Sequence, residues 1–292
     1  MDSGRISKII RRTLAAWFKD EASSMGAAIA FYTLFSIAPI LIIVIWIASS
    51  FVAPDAVQAQ VLTQIQLILG DTGAAAVRTI LASTRNVVHA GYSSTVSIVT
   101  LLIGATSVFA ELQNSLNRIW RTPRAEGNKG VWQAVRRRLL SFGLVLCVGF
   151  LLLVSLIVSA SLEAFNGWLG TVVADWCSIA FALDVILGFI VATVLFAMIY
   201  KYVPREKITW GDVWVGALVT SILFSVGKLL IVVYFGKIAF SSAYGVAGSF
   251  LVLMLWVYYS AQIFLLGAEF TYSYAYEHGS RAGRREEEPV RV

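Results

Sequence analysis

The chain has 292 residues, of which 58% are hydrophobic and 14% charged, with a net charge of +6 and a mean hydropathy of +0.78. Soluble domains carry about a quarter charged residues, so too few polar groups are present to cover a water-facing surface. This composition excludes an ordinary soluble protein and makes lipid the solvent for much of the molecule.

Residues 1–27 read as a cytoplasmic amphipathic segment. Ile6, Ile9, Ile10, Thr13, Trp17 and Phe18 recur at helical spacing among Arg5, Lys8, Arg11, Arg12 and Lys19. The pattern suits a helix on the anionic lipids of an inner leaflet, or one packed beneath a bundle. A full-length apolar run follows it, not the short core of a signal peptide, so no cleavable signal is expected.

Six apolar runs come next, near 28–52, 94–112, 139–164, 178–200, 213–235 and 249–273, within a membrane domain at 28–276. Each is close to or above the ~20 residues that a helix needs to cross ~30 Å of hydrocarbon. The expected fold is an all-α integral membrane protein, a six-transmembrane-helix bundle. In the first run Pro39 lacks an N–H and displaces the carbonyl of Phe35, which predicts a helix break in mid-span with Ser36 placed to compensate. Between the first two runs, Val57, Val61, Ile65 and Ile68 form one helical stripe and Val77, Leu81, Thr84 and Val88 another. The turn signal 70–73 separates them. They predict two amphipathic outer helices, most simply caps on the bundle. The tail, 277–292, is polar and mixed in charge, and disorder is expected there.

The loops orient the spans. Nineteen Lys and Arg residues fall in the N-terminal segment, in the loops after the second and fourth runs, and in the tail, whereas the alternate loops hold Arg78, Arg85 and Lys237. Cytoplasmic loops retain basic residues, so both termini are expected in the cytoplasm. The positive charge is thereby explained by topology, and no nucleic acid partner is expected.

Charges inside the runs each need a reason, because one at the bilayer centre costs at least ~2.5–3.5 kcal/mol. Asp184 enters the fourth run by about 9 Å and Lys228 lies about 10 Å from the end of the fifth, at 1.5 Å per residue. The two share a depth near the outer face. They read either as an ion- or substrate-binding pair or as a salt bridge that fixes helix register. Near the inner face, Glu111, Asn114, Ser115 and Arg118 make a polar stripe, and Glu269 reaches a similar depth at the end of the sixth run. An interfacial ion-pair network with Arg121 or Arg136–Arg138, or a polar vestibule, accounts for that cluster. Gly216, Thr220 and Gly227 suit internal packing or a homo-oligomer contact equally. Cys147 and Cys177 lie too far apart in depth to bridge, and His89 and His278 fall on opposite sides. No metal, cofactor or catalytic constellation is expected.

Four stretches carry a family resemblance: Ala27–Ile40 (AAIAFYTLFSIAPI), Glu111–Arg121 (ELQNSLNRIWR), Tyr202–Gly216 (YVPREKITWGDVWVG), and Tyr244–Glu269 with its LWVYYSAQIFLLGAE run. From about residue 10 to 275 the chain resembles the YihY/virulence factor BrkB family of bacterial inner-membrane proteins, once labelled ribonuclease BN. The resemblance implies six transmembrane helices and imports no mechanism. The nuclease label finds no support in the residues, because metal-dependent phosphodiester cleavage needs clustered carboxylates or His on a wet surface. Two functions suit the chain, a transporter or channel for a small charged solute or ion, and a non-transporting envelope-maintenance or membrane-assembly factor.

Overall fold

The computed structural model describes residues 3–48, 58–59, 61–63, 66, 74–79, 82, 94–122, 176–237 and 246–282. The third run, 139–164, and most of the outer segment 53–93 lie outside them. Among the described residues there is no strand. The long helices among the described residues are α1 (Ser3–Lys19), α2 (Ala22–Ala48), α3 (Ser94–Ile119), α4 (Trp176–Tyr202), α5 (Trp210–Lys237) and α6 (Val246–Glu277). Among the described residues, three stretches are long and apolar enough to cross a membrane: Val185–Tyr202 in α4, Trp210–Leu230 in α5 and Phe250–Glu277 in α6.

Helix and apolar run do not coincide at every end. The second run fades at 112, yet α3 continues to Ile119 and carries the polar stripe with it. Backbone hydrogen bonds do not depend on hydropathy, so the helix stops only where Arg121 turns to φ 50°. A matching turn at Glu21, φ 53°, separates α1 from α2. The expected break at Pro39 is not found, since α2 stays helical through it. One missing N–H leaves the adjacent turns bonded, and Ser36 Oγ donates to the Tyr32 carbonyl at 2.8 Å. The tail also begins later than expected. Residues 278–282 form an ordered turn in which the Ser280 hydroxyl donates to Asp212 at 2.6 Å and Arg281 pairs with Glu206 at 2.6 Å.

Helix α6 is the hub, packing against α1, α2, α3 and α5. The main core gathers where α1 meets α2 and where α3, α4 and α6 end, around Leu116, Ile119, Tyr200, Leu265 and Tyr272. Towards the other end, Ala76 and Val77 of the outer segment pack on Leu253, with Leu34 and Ile37 of α2 alongside. Two close approaches seat α5 on α6. Gly216 faces Thr271 and Gly267 faces Thr220, so a Cβ at either glycine would overlap a threonine hydroxyl. Each threonine turns that hydroxyl to its own helix, Thr220 to the Gly216 carbonyl and Thr271 to the Gly267 carbonyl, both at 2.7 Å. Small residues spaced by four let helices approach in lipid, where apolar burial gives little drive between them.

Candidate functional site

Around α6, polar groups concentrate at the end where α1 turns into α2. Lys8 and Arg12 of α1 reach Glu277 at 3.0 and 2.7 Å. Arg12 also lies 6.0 Å above the Tyr276 ring. On the far side of α6, Asp212 in the first turn of α5 accepts from Thr209 Oγ1 at 2.7 Å and from both the N–H and hydroxyl of Ser280. Behind it, the Tyr200 hydroxyl donates to the Phe264 carbonyl at 2.7 Å and pairs with Thr220 Oγ1 at 3.0 Å, joining α4, α5 and α6. Burial away from water raises the Arg281 charge's cost, but hydrogen bonds to Tyr276 and Glu206 outweigh that and lift its pKa above the usual arginine range.

Glu269 stands apart from these satisfied groups. It is completely buried on α6, and neither carboxylate oxygen has a hydrogen-bond partner among the described residues. Asp20, the first residue of the α1–α2 turn, lies within hydrogen-bonding reach of it, and Arg121 lies close enough to act on its charge. Arg121 also covers the Tyr272 ring at 5.2 Å. The positive φ values of Glu21 and Arg121 flank this spot. A side chain other than glycine pays about 1 kcal/mol or more for that conformation.

The other residues singled out in the sequence disperse. Arg118 is exposed and pairs with Glu21 at 3.4 Å, and Asn114 is exposed on α3. Glu111 is half-buried one turn before Ser115, whose hydroxyl is buried without a partner. Lys228 is half-buried on α5. Asp184 is on α4, but its side chain lies outside the described residues. Gly216, Thr220 and Gly227 are used internally, against Thr271, Gly267 and Tyr259 of α6. Sequence reasoning missed Asp20. The available signal was an acidic residue at a helix end in an otherwise basic segment, which asks for a partner elsewhere.

The outer surfaces of α4 and α5 settle the kind of molecule this is. Val185, Ile186 and Ile190 on α4, and Leu218, Ile222, Val226, Leu229 and Leu230 on α5, are all exposed. Such a contiguous apolar face is not tolerated in water. Tyr202, Trp210 and Trp214, half-exposed where α4 ends and α5 begins, form the aromatic fringe typical of a membrane–water boundary. This is a helical membrane protein.

Its relatives agree. Residues 13–291 match the Virulence factor BrkB family, and the chain belongs to it. A UPF0761 membrane protein of Vibrio vulnificus is 26% identical over 270 residues, covering 90% of this chain and 80% of that protein. One of Psychromonas ingrahamii is 28% identical over 268 residues, covering 88% and 85%. One of Albidiferax ferrireducens is 33% identical over 174 residues, 59% of this chain but only 39% of that relative. No solved structure matches the chain.

Proposed function

We propose that this protein is a transporter or channel for a small charged solute or ion, crossing a bacterial inner membrane six times with both termini in the cytoplasm. The observation that carries the reading is Glu269, a fully buried carboxyl with no hydrogen-bond partner among the described residues, in a stretch able to span the bilayer. Such a group costs stability, and a protein that moves charge has a use for it. Lys228, half-buried in α5, supplies a second ionisable group on the helix packed against α6, and with Asp184 it would give a polar station near the opposite face. The excess of Lys and Arg in alternate loops supports the orientation. On α1, Ile10, Leu14 and Phe18 are exposed beside Arg11 and Lys19, a surface suited to the anionic lipids of the inner leaflet.

The test is flux. Purified protein in liposomes should pass protons driven by a potassium diffusion potential, or an inorganic ion or small charged solute from a panel, faster than empty vesicles do. Glu269→Gln should remove that flux. Vesicles as tight as empty ones across the panel would overturn the reading and favour the assembly or envelope-maintenance role.

A further inference from the structure

One face of α6 is polar between the points where it touches α2 and α1. Gln262 leans on the start of α2, where its Nε2 donates to the Ser23 carbonyl at 3.3 Å. A Cβ at Gly26 would overlap its side-chain amide. Towards the end of α6, Glu277 pairs with Arg12 of α1 at 2.7 Å, and Arg12 lies 6.0 Å above the Tyr276 ring. At about 100° per residue, Gln262, Glu269, Ser273 and Tyr276 fall within about 60° of one another, with Glu277 beside them. Helix α6 is continuous from Val246 to Glu277. Glu269 and Ser273 therefore turn towards the elbow of α1 and α2 that joins the two contacts.

The oxygens on that face are unmet. Gln262 Oε1, both Glu269 oxygens and Ser273 Oγ are shielded from solvent and lack hydrogen-bond partners among the described residues. Thr13 Oγ1 is in the same condition on the inner face of α1, between Ile9 and Ala16. Buried polar groups are nearly always hydrogen-bonded, and each exception costs stability. A row of exceptions on one helix face has a use if a second arrangement of the chain opens that face to water.

Helix α1 is placed to make that change. Its inner face is Ile9, Thr13 and Ala16, of which only Ile9 is a large apolar side chain, with Trp17 half-buried beside them. Its outer face exposes Ile10, Leu14 and Phe18. One end is tied down through Arg12 and Glu277. The other is the turn at Asp20 and Glu21, where Glu21 has φ 53°. Hinges are a few such element-terminal residues that absorb a backbone change.

We infer that the Gln262–Glu269–Ser273 face of α6 is the inner mouth of the transport path and that α1 is its lid, hinged at Glu21 and latched by Arg12 on Glu277. The lid rests on the transport reading for its purpose, but its movement is measurable without flux.

The experiment uses the full-length chain in lipid nanodiscs, with Cys147 and Cys177 replaced by alanine and a single reporter cysteine introduced. A water-soluble thiol reagent reaches the reporter only while α1 is lifted, and intact mass gives the labelling rate. Ser273→Cys should label slowly, and several-fold faster once Arg12→Ala or Glu277→Gln opens the latch. Thr271→Cys, on the face of α6 that meets Gly216, should stay unlabelled in every background. Thr13→Cys reports the same movement from the lid itself if Ser273→Cys does not accumulate. In liposomes, the latch variants without a reporter should pass solute faster than the wild type. Labelling at 273 and 13 that ignores the latch overturns the lid, as does equal acceleration at 271, which would mean general loosening. Latch-dependent labelling beside an unchanged flux overturns the mouth. Latch-dependent labelling with no flux from any variant leaves the lid standing and removes the transport reading.

Discussion

Gly216 of α5 lies against Thr271 of α6 so closely that a Cβ at 216 would overlap the threonine side chain, and four residues along each helix Thr220 meets Gly267 in the same way. The two contacts form one antiparallel seam, with glycine opposite threonine at both ends. Overpacking of this kind costs about 1–3 kcal/mol in close-packed interiors. Gly216→Ala should therefore lower the unfolding midpoint in detergent, and Gly216→Leu should prevent accumulation of folded protein. Thr271→Ala should recover part of the loss in the alanine variant but little in the leucine one. Equal midpoints for wild type and Gly216→Ala would show that the seam is looser than described.

Tyr200 tests the same seam from α4. Its hydroxyl is buried, donating to the Phe264 carbonyl and pairing with Thr220. Tyr200→Phe keeps the ring contacts with Phe196 and Phe264 and removes only the oxygen. The expected cost is about 1–2 kcal/mol, from a lost bond and a threonine left with fewer partners. The measurement is again the unfolding midpoint, with Thr220→Ala as the second arm of a double-mutant cycle. Additive effects would mean that the two hydroxyls do not act together.

Much of this architecture can be read from the chain because membrane spans are written as local hydropathy. The runs at 178–200, 213–235 and 249–273 sit inside α4, α5 and α6. What local reading misses is register between helices. The small residues Gly216, Thr220 and Gly227 mark a packing face, yet no single-helix pattern reveals that Thr271, Gly267 and Tyr259 lie opposite them. Glu269 was visible as a carboxyl in an apolar run. Asp20 was not, because their meeting depends on α1 folding back along the last turns of α6, far away in sequence. The break assigned to Pro39 shows the opposite error, a strong local signal that the surrounding turns absorb.

Asp212 should matter more than its place at a helix start suggests. It is buried, and its carboxylate accepts from Thr209 and twice from Ser280, closing the chain end against α5. Replacement by Ala strands those donors and is expected to cost about 1–3 kcal/mol. Asp212→Asn retains part of the bonding and should cost less. The specific signature is faster cleavage by carboxypeptidase or trypsin after Arg281 in Asp212→Ala. A cleavage rate equal to wild type would show that Ser280 is held by other means.

The clamp between α1 and α6 predicts unequal effects from its two cations. Lys8 is 70% exposed, so its bond to Glu277 is screened and contributes little. Arg12 is 28% exposed, closer to Glu277 at 2.7 Å, and rests over Tyr276. Cleavage after Glu21 by a glutamate-specific protease reports how often α1 lifts away. It should be several-fold faster in Arg12→Ala and nearly unchanged in Lys8→Ala, with the difference shrinking at high salt. Equal rates in the two variants would show that apolar packing of Ile9, Ala16 and Trp17 holds α1 without help from charge.

Lys228 separates a transport role from a structural one. On α5 it neighbours Gly227, which meets Tyr259 and Ile263 of α6, while Val226 and Leu229 beside it are exposed. A methionine at 228 fills a similar volume without charge. If the ammonium serves a charged solute on its path, Lys228→Met should insert, unfold at or above the wild-type temperature and lose flux in liposomes. Stability would not fall, because removing an ionisable group from an apolar setting relieves its desolvation. If Lys228 instead pairs with Asp184 to fix register, the same change strands a carboxylate, and the midpoint should drop while flux per folded molecule persists. Asp184→Asn in the Lys228→Met background would then restore stability in the structural case and leave flux absent in the transport case, so the two roles give opposite results in one pair of measurements.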